Sequence, residues 1–141
     1  SQLRSERLKL ADPADHVVLP DVISVEPLGP AVRQGDDQWL NLVKWTLFAM
    51  IDSEQLGITS RNVDEMSRSV KPEFKRVFGA GGNFGRSLGV TNDWVVRIIK
   101  AVGNYGQSFD RNLGAGSPLQ MARGINRLWT KGGILYAPPL R

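Results

Sequence analysis

Few residues in this 141-residue chain have the side chains that chemistry at a site most often needs. There is one imidazole, His16, and no thiol. Zero Cys rules out disulfides, thiolate zinc centres and Cys nucleophiles, and a single His rules out a two-His zinc motif. A Ser–His–Asp relay would need a nucleophile and an orienting acid beside His16 in space. Asp15 is adjacent in sequence only, and neighbours in an extended segment point apart, so His16 reads as a surface residue. The acid pairs Asp36/Asp37 and Asp64/Glu65 fall in first turns of expected helices, where the helix dipole accounts for them without catalysis.

The run Gly79-Ala80-Gly81-Gly82-Asn83-Phe84-Gly85 invites a phosphate-binding reading, because backbone N–H groups must approach phosphate closely. However, Phe84 stands where the dinucleotide pattern needs Gly, the preceding segment is helical, and no Lys-Ser/Thr follows. A surface loop is the reading we adopt. Charge is lopsided: residues 1–65 sum to −5 and residues 66–141 to +9, within an overall +4. Arg68, Lys71, Lys75, Arg76 and Arg86 cluster, and Arg97, Lys100, Arg111, Arg123, Arg127 and Lys131 follow. Nucleic-acid binding would place them on one face with exposed aromatics between them. Trp94, Tyr105 and Trp129 instead fall on apolar helix faces, with Arg97 and Lys100 opposite. These patterns show no catalytic residue and no metal ligand, and they call for no cofactor.

The elements that carry these residues are mostly helical. A chain of this length fits one domain and can bury a core without staples. No run approaches the ~18 apolar residues of a membrane helix, and no basic start followed by an apolar core marks an export signal. Gln2 to Leu10 reads as a short helix stopped at Asp12-Pro13. Val17-Val18-Leu19 reads as a buried strand. Asp21 to Arg33 is extended, Pro27, Gly29 and Pro30 excluding helix, with a second strand expected over 28–32. Gly35-Asp36-Asp37 supplies an N-cap and first-turn negative charge for a long helix over Gln38–Leu56, closed by Gly57. Its polar stripe (Asn41, Lys44, Asp52, Gln55) is narrow, so it needs partners on more than one side. Asn62 and Glu65 resemble a capping box, and Pro72 opens a short helix with Phe74 and Val77. Asn92-Asp93 opens a helix through Ile99 and Tyr105 to Leu113, with Gly103 and Gly106 marking a kink. Ser117-Pro118 opens a last helix through Ile125 to Trp129, and residues 134–136 are extended.

Longer stretches are more specific. They are Glu26-Pro27-Leu28-Gly29-Pro30-Ala31-Val32-Arg33-Gln34-Gly35-Asp36-Asp37-Gln38-Trp39, Asn92-Asp93-Trp94, Ile99-Lys100-Ala101-Val102-Gly103-Asn104-Tyr105-Gly106, Leu128-Trp129-Thr130-Lys131-Gly132-Gly133 and Tyr136-Ala137-Pro138-Pro139. In this order, and across essentially all of the chain, they resemble the C-terminal portion of the general L-amino-acid-binding proteins of bacterial ABC importers. These form the polar-amino-acid branch of the periplasmic solute-binding proteins. The resemblance implies an α/β chain, a helix-rich C-terminal fragment of a type II periplasmic-binding-protein fold with two or three short strands. It makes residues 1–25 the end of the second lobe, 26–34 the return hinge or crossing strand, and 35–141 the C-terminal helical part of the first lobe.

The same resemblance implies a periplasmic parent protein, not an enzyme, that captures L-amino acids for a membrane permease. The chain starts at Ser1, without Met and inside a helix-like segment, which fits an incomplete chain. The family's ligand clamp, an Arg for the carboxylate and an Asp for the ammonium, maps outside these residues. Arg33 matches a hinge position, so ligand-binding residues remain unknown within the chain. Unpaired edges near Val17 and Leu28 lead us to expect self-association or element swapping. The competing reading is a stand-alone basic helical module for nucleic acid or a protein partner. Steep salt dependence of binding would mark the nucleic-acid case.

Overall fold

The long apolar stripe expected over 38–56 forms the axis of the fold as α2 (Asp37–Gln55) in the computed structural model, which describes residues 2–24, 27–79 and 82–140. Asp36 Oδ1 accepts the Trp39 N–H at 3.0 Å and satisfies one orphan donor of the first turn. At the other end Gly57 adopts φ +68°, Ile58 N–H donates to Ser53 O at 2.8 Å and Gly57 N–H to Glu54 O at 3.1 Å. This paired closure is a Schellman stop, and only a residue tolerant of positive φ suits its pivot.

Against α2 pack α4 (Pro72–Val77), α6 (Trp94–Val102) and α7 (Tyr105–Asn112), while α3 (Val63–Ser67) packs on α4 and α6, and α5 (Phe84–Ser87) reaches α2 through Phe84. Ala49, Ile58, Val63, Val95 and Ile99 are the most deeply buried members of the main cluster. Trp45 lies edge-on to Phe84, with centroids 4.9 Å apart, and Phe84 bridges to Trp94 at 6.1 Å. The C-terminal half of α2 is enclosed, whereas Trp39 and Leu40 at its start are exposed. The helix thus has partners along only part of its apolar surface.

Three local expectations change on folding. Asn62 has helical backbone angles, φ −113° and ψ 0°, and makes no side-chain cap to α3. A capping side chain reaches the first turn from an extended backbone. Asn62 instead holds the preceding turn, accepting from Thr59 N–H at 2.7 Å and donating to Gly57 O at 3.0 Å. The capping box forms at Asn104 and Gln107. There the expected kink is a full break: Gly103 turns at φ +80° and α7 starts anew. The last expected helix, from Ser117 to Trp129, does not form. Gln120 at φ +45° and Gly124 at φ +52° interrupt it, leaving 3₁₀ turns at Gly124–Asn126 and Trp129–Lys131. Residues 134 and 135 fold back on this loop, Ile134 N–H reaching Ile125 O at 2.8 Å and Leu135 N–H reaching Arg127 O at 3.0 Å.

The short strands are likewise not formed among the described residues, where the one ladder contact is an isolated parallel bridge between Leu128 and Leu135. Val17 is 80% exposed and Leu28 is 83% exposed, so neither sits in a buried strand. A strand exists only through its pairing partner, and among the described residues neither segment has one. Val25 and Glu26, at the start of the expected crossing segment, lie outside the described residues. Helix α1 (Gln2–Arg7) is followed by a 3₁₀ turn at Pro13–Asp15. Among the described residues, the hydrogen bonds of 2–24 stay within that segment.

The capping box also ties two distant segments. Asn104 Nδ2 donates to the buried Ile58 carbonyl at 2.7 Å, and Gln107 Oε1 accepts from Ser60 N–H at 3.0 Å. Asn104→Ala removes a cap and strands a buried carbonyl. Urea denaturation is expected to show a loss of about 2 kcal/mol.

Candidate functional site

The residues singled out by chemistry do not converge. His16 is exposed, its Nδ1 donating to Asp12 O at 2.9 Å and its own carbonyl accepting from Arg7 at 3.0 Å. In the glycine-rich loop a Cβ on Gly85 would lie 2.5 Å from the Thr91 carbonyl oxygen. That glycine therefore serves close backbone packing, and α5 begins at the end of the run, at Phe84. Ala80 and Gly81 lie outside the described residues. Asp36 is a cap, and Asp64 meets Lys100 at 2.6 Å on the surface. Arg33 is exposed in the turn before α2, its carbonyl accepting from Asp36 N–H at 3.4 Å.

The basic half does not form one continuous face, because several of its members have structural partners. Arg111 donates to Val102 O at 3.0 Å at the end of α6, and Arg127 to Gly124 O at 2.9 Å. Arg123 is mostly buried. Its Nη1 and Nη2 meet Glu54 Oε1 and Oε2 at 3.1 and 3.0 Å. The guanidinium also lies 5.3 Å from the Tyr105 ring centroid and 5.1 Å from that of Phe109. This fork geometry suits Arg and no other cation. Gly106 makes room for it, since a Cβ there would stand 3.1 Å from both Glu54 Cδ and Arg123 Nη1. The sequence offers no local signal for a pair 69 residues apart. Trp129, expected in a core, is half exposed and donates to Gln55 Oε1 at 3.3 Å.

Asp52 is also misplaced by the sequence reading. It lies on the buried side of α2 at 9% exposure, and burial pushes its carboxyl up from 3.8 to about 6. The signal was present: Trp45, Phe48, Asp52 and Leu56 follow helical spacing on one face.

An apolar groove of about 810 Å³ lies between the exposed start of α2 and α6. Trp39, Val43 and Leu47 form one wall, Val90, Trp94 and Ile98 the other, and Arg97 stands at the rim. No titratable cluster lines it. Its lining is apolar apart from Thr46, Thr91 and Arg97, so what it offers is mainly apolar surface to bury.

No family model matches the chain. Individual proteins do, over its whole length. The general L-amino acid-binding periplasmic protein AapJ of Rhizobium johnstonii is 57% identical, and the putative amino-acid ABC transporter-binding protein YhdW of Escherichia coli is 52% identical. The glutamate/glutamine/aspartate/asparagine-binding protein BztA of Rhodobacter capsulatus is 46% identical. All of this chain is covered in each case, but only 42% of each relative. A solved ABC-transporter periplasmic binding protein from Brucella ovis, with glutathione bound, superposes with a TM-score of 0.93 at 52% identity. That match takes in 99% of this chain and 44% of the other. By sequence and by fold, the chain is a homologue of part of the periplasmic amino-acid-binding proteins of ABC transporters.

Proposed function

We propose that the longer protein to which this chain corresponds captures L-amino acids in the periplasm and delivers them to the membrane permease of an ABC importer. In this reading the protein is a carrier and not an enzyme. The chain contributes the end of the second lobe (1–25), the return crossing segment (26–34) and the C-terminal helices of the first lobe (35–141). One observation carries the reading: likeness along the whole chain, in sequence and in fold, to part of such proteins. The groove on α2 and α6 supports it. Its apolar walls are what a helix layer presents to the rest of a lobe, and more than half of each relative's length lies outside the match.

The reading also places the ligand clamp outside this chain. A thermal-shift screen against the common L-amino acids and glutathione tests this, on the chain and on an N-terminally extended protein side by side. Ligand at a hundred times Kd raises native stability by about 2.7 kcal/mol. The extended protein is expected to respond and this chain to stay flat. Micromolar binding by this chain alone would place the clamp within its own residues. Light scattering on the same samples is expected to show self-association of the chain, whose groove and extended segment leave apolar side chains in water.

A further inference from the structure

Three segments far apart in sequence enclose a pocket of about 250 Å³: the end of α2, α4 and residues 136–140. Asp52 of α2 lines it and is 9% exposed. Its Oδ2 has no hydrogen-bond partner, and among the described residues no cation pairs with its carboxyl. The polar neighbours leave that demand unmet. The Gln55 side chain faces Trp129, accepting from its Nε1 at 3.3 Å. Glu73 and Arg76 of α4 also line the pocket, and among the described residues neither has an ion-pair partner. Arg76 and Tyr136 are exposed, so solvent meets their own donors. What the pocket lacks is therefore a donor for Asp52, not an acceptor. Two carboxylates against one guanidinium also leave its lining with an excess negative charge. Water can donate to a buried carboxylate, but only an opposite charge offsets the cost of burying it.

We propose that this pocket binds a small organic ammonium ion, its N–H groups on Asp52 and Glu73 and its hydrocarbon body against Leu56 and Val77. The volume suits a short primary amine, being just below the range of drug-sized ligand pockets. A carboxylate on the ligand would gain little, because no buried donor awaits it and Asp52 and Glu73 repel it. The site is separate from the amino-acid clamp and does not depend on where that clamp lies. The cation binds the ionised carboxyl, and burial holds Asp52 near 6 against 3.8. Affinity should therefore rise about tenfold from pH 5 to pH 7, and bound amine should draw the Asp52 carboxyl down. Of the other titratable groups lining the pocket, Glu73 aids the ligand, Arg76 opposes it, and Tyr136 adds no charge while protonated.

The probe is propylammonium chloride, titrated into the isotope-labelled 141-residue chain at constant ionic strength. NMR follows the Asp52 carboxyl carbon and the Ala137 amide. Both should shift saturably, and saturating amine should move the Asp52 midpoint from about 6 toward 3.8. Tetramethylammonium has the charge without an N–H, and glycine adds a carboxylate; each should bind at least about tenfold more weakly. Asp52→Asn should abolish the Ala137 response, and Glu73→Gln should weaken binding by less than about tenfold, since Glu73 is only half-buried. Arg141 follows Leu140 in sequence, so Arg141→Gln is included and should bind as the unsubstituted chain does. The tetramethylammonium comparison needs no substitution and decides the matter if Asp52→Asn does not fold. No saturable response would leave water as the occupant and overturn the site. So would equal binding of tetramethylammonium or glycine, a response that survives Asp52→Asn, or one that appears only in Arg141→Gln.

Discussion

Arg123→Met is expected to destabilise the chain by about 3 kcal/mol, the low end for breaking a largely buried ion pair from one side. The guanidinium and its Glu54 partner are 18% and 13% exposed, so solvent screens neither charge well. Methionine keeps much of the apolar stem over Tyr105 and Phe109 while stranding the Glu54 carboxylate. Most of the cost is therefore the unpaired charge, and adding Glu54→Gln should recover a substantial part of it. Recovery will be incomplete, because Arg123 also donates to Asn126 O at 2.9 and 2.8 Å and holds the turn after it. Denaturant unfolding of the two single variants and the double variant closes the cycle. Effects that simply add would show that the pair carries no coupling and that Arg123 acts through packing alone.

The second large effect separates core from interface. Trp94 is 6% exposed and Trp39 is 51% exposed, yet both line the groove. In this chain Trp94→Ala should cost about 3–5 kcal/mol, as a large core truncation does. Trp39→Ala should cost less than about 1 kcal/mol, because little of its surface is removed from water. In the N-terminally extended protein the two should converge, with the cost of Trp39→Ala rising above about 2 kcal/mol as the groove is covered. Urea unfolding of both variants in both lengths reads this directly. A Trp39 effect that stays small in the extended protein would leave the groove on the surface and send the first-lobe placement of residues 35–141 elsewhere.

Several helical elements were legible residue by residue. The spacing of Val43, Leu47 and Met50, with Asp36 before and Gly57 after, defines α2 to within a residue or two. Pro72 and Asn92-Asp93 mark α4 and α6 in the same way. The resemblance that the long distinctive stretches suggested is borne out by 46–57% identity along the whole chain. These features are local, or are read as strings, so a single sequence contains them.

Other features were decided only in three dimensions. The run from Ser117 to Trp129 has helical spacing, but its backbone turns to positive φ at Gln120 and Gly124 and closes a loop against residues 134 and 135. Val17 and Leu28 have strand-like neighbours, but pairing is a property of two segments, and among the described residues neither is paired. Arg123 counted as one more surface cation until Glu54, Tyr105 and Phe109 enclosed it. Asp52 read as part of a polar stripe, but it is 9% exposed, beside a pocket that residues of α4 and residues 136–140 also line. The sequence by itself determined both ends of α2 and the starts of α4 and α6, because caps and periodic apolar faces act within a turn or two of chain. The tertiary structure alone decided which charges are buried and which apolar faces stay open, because desolvation depends on segments that meet only after folding.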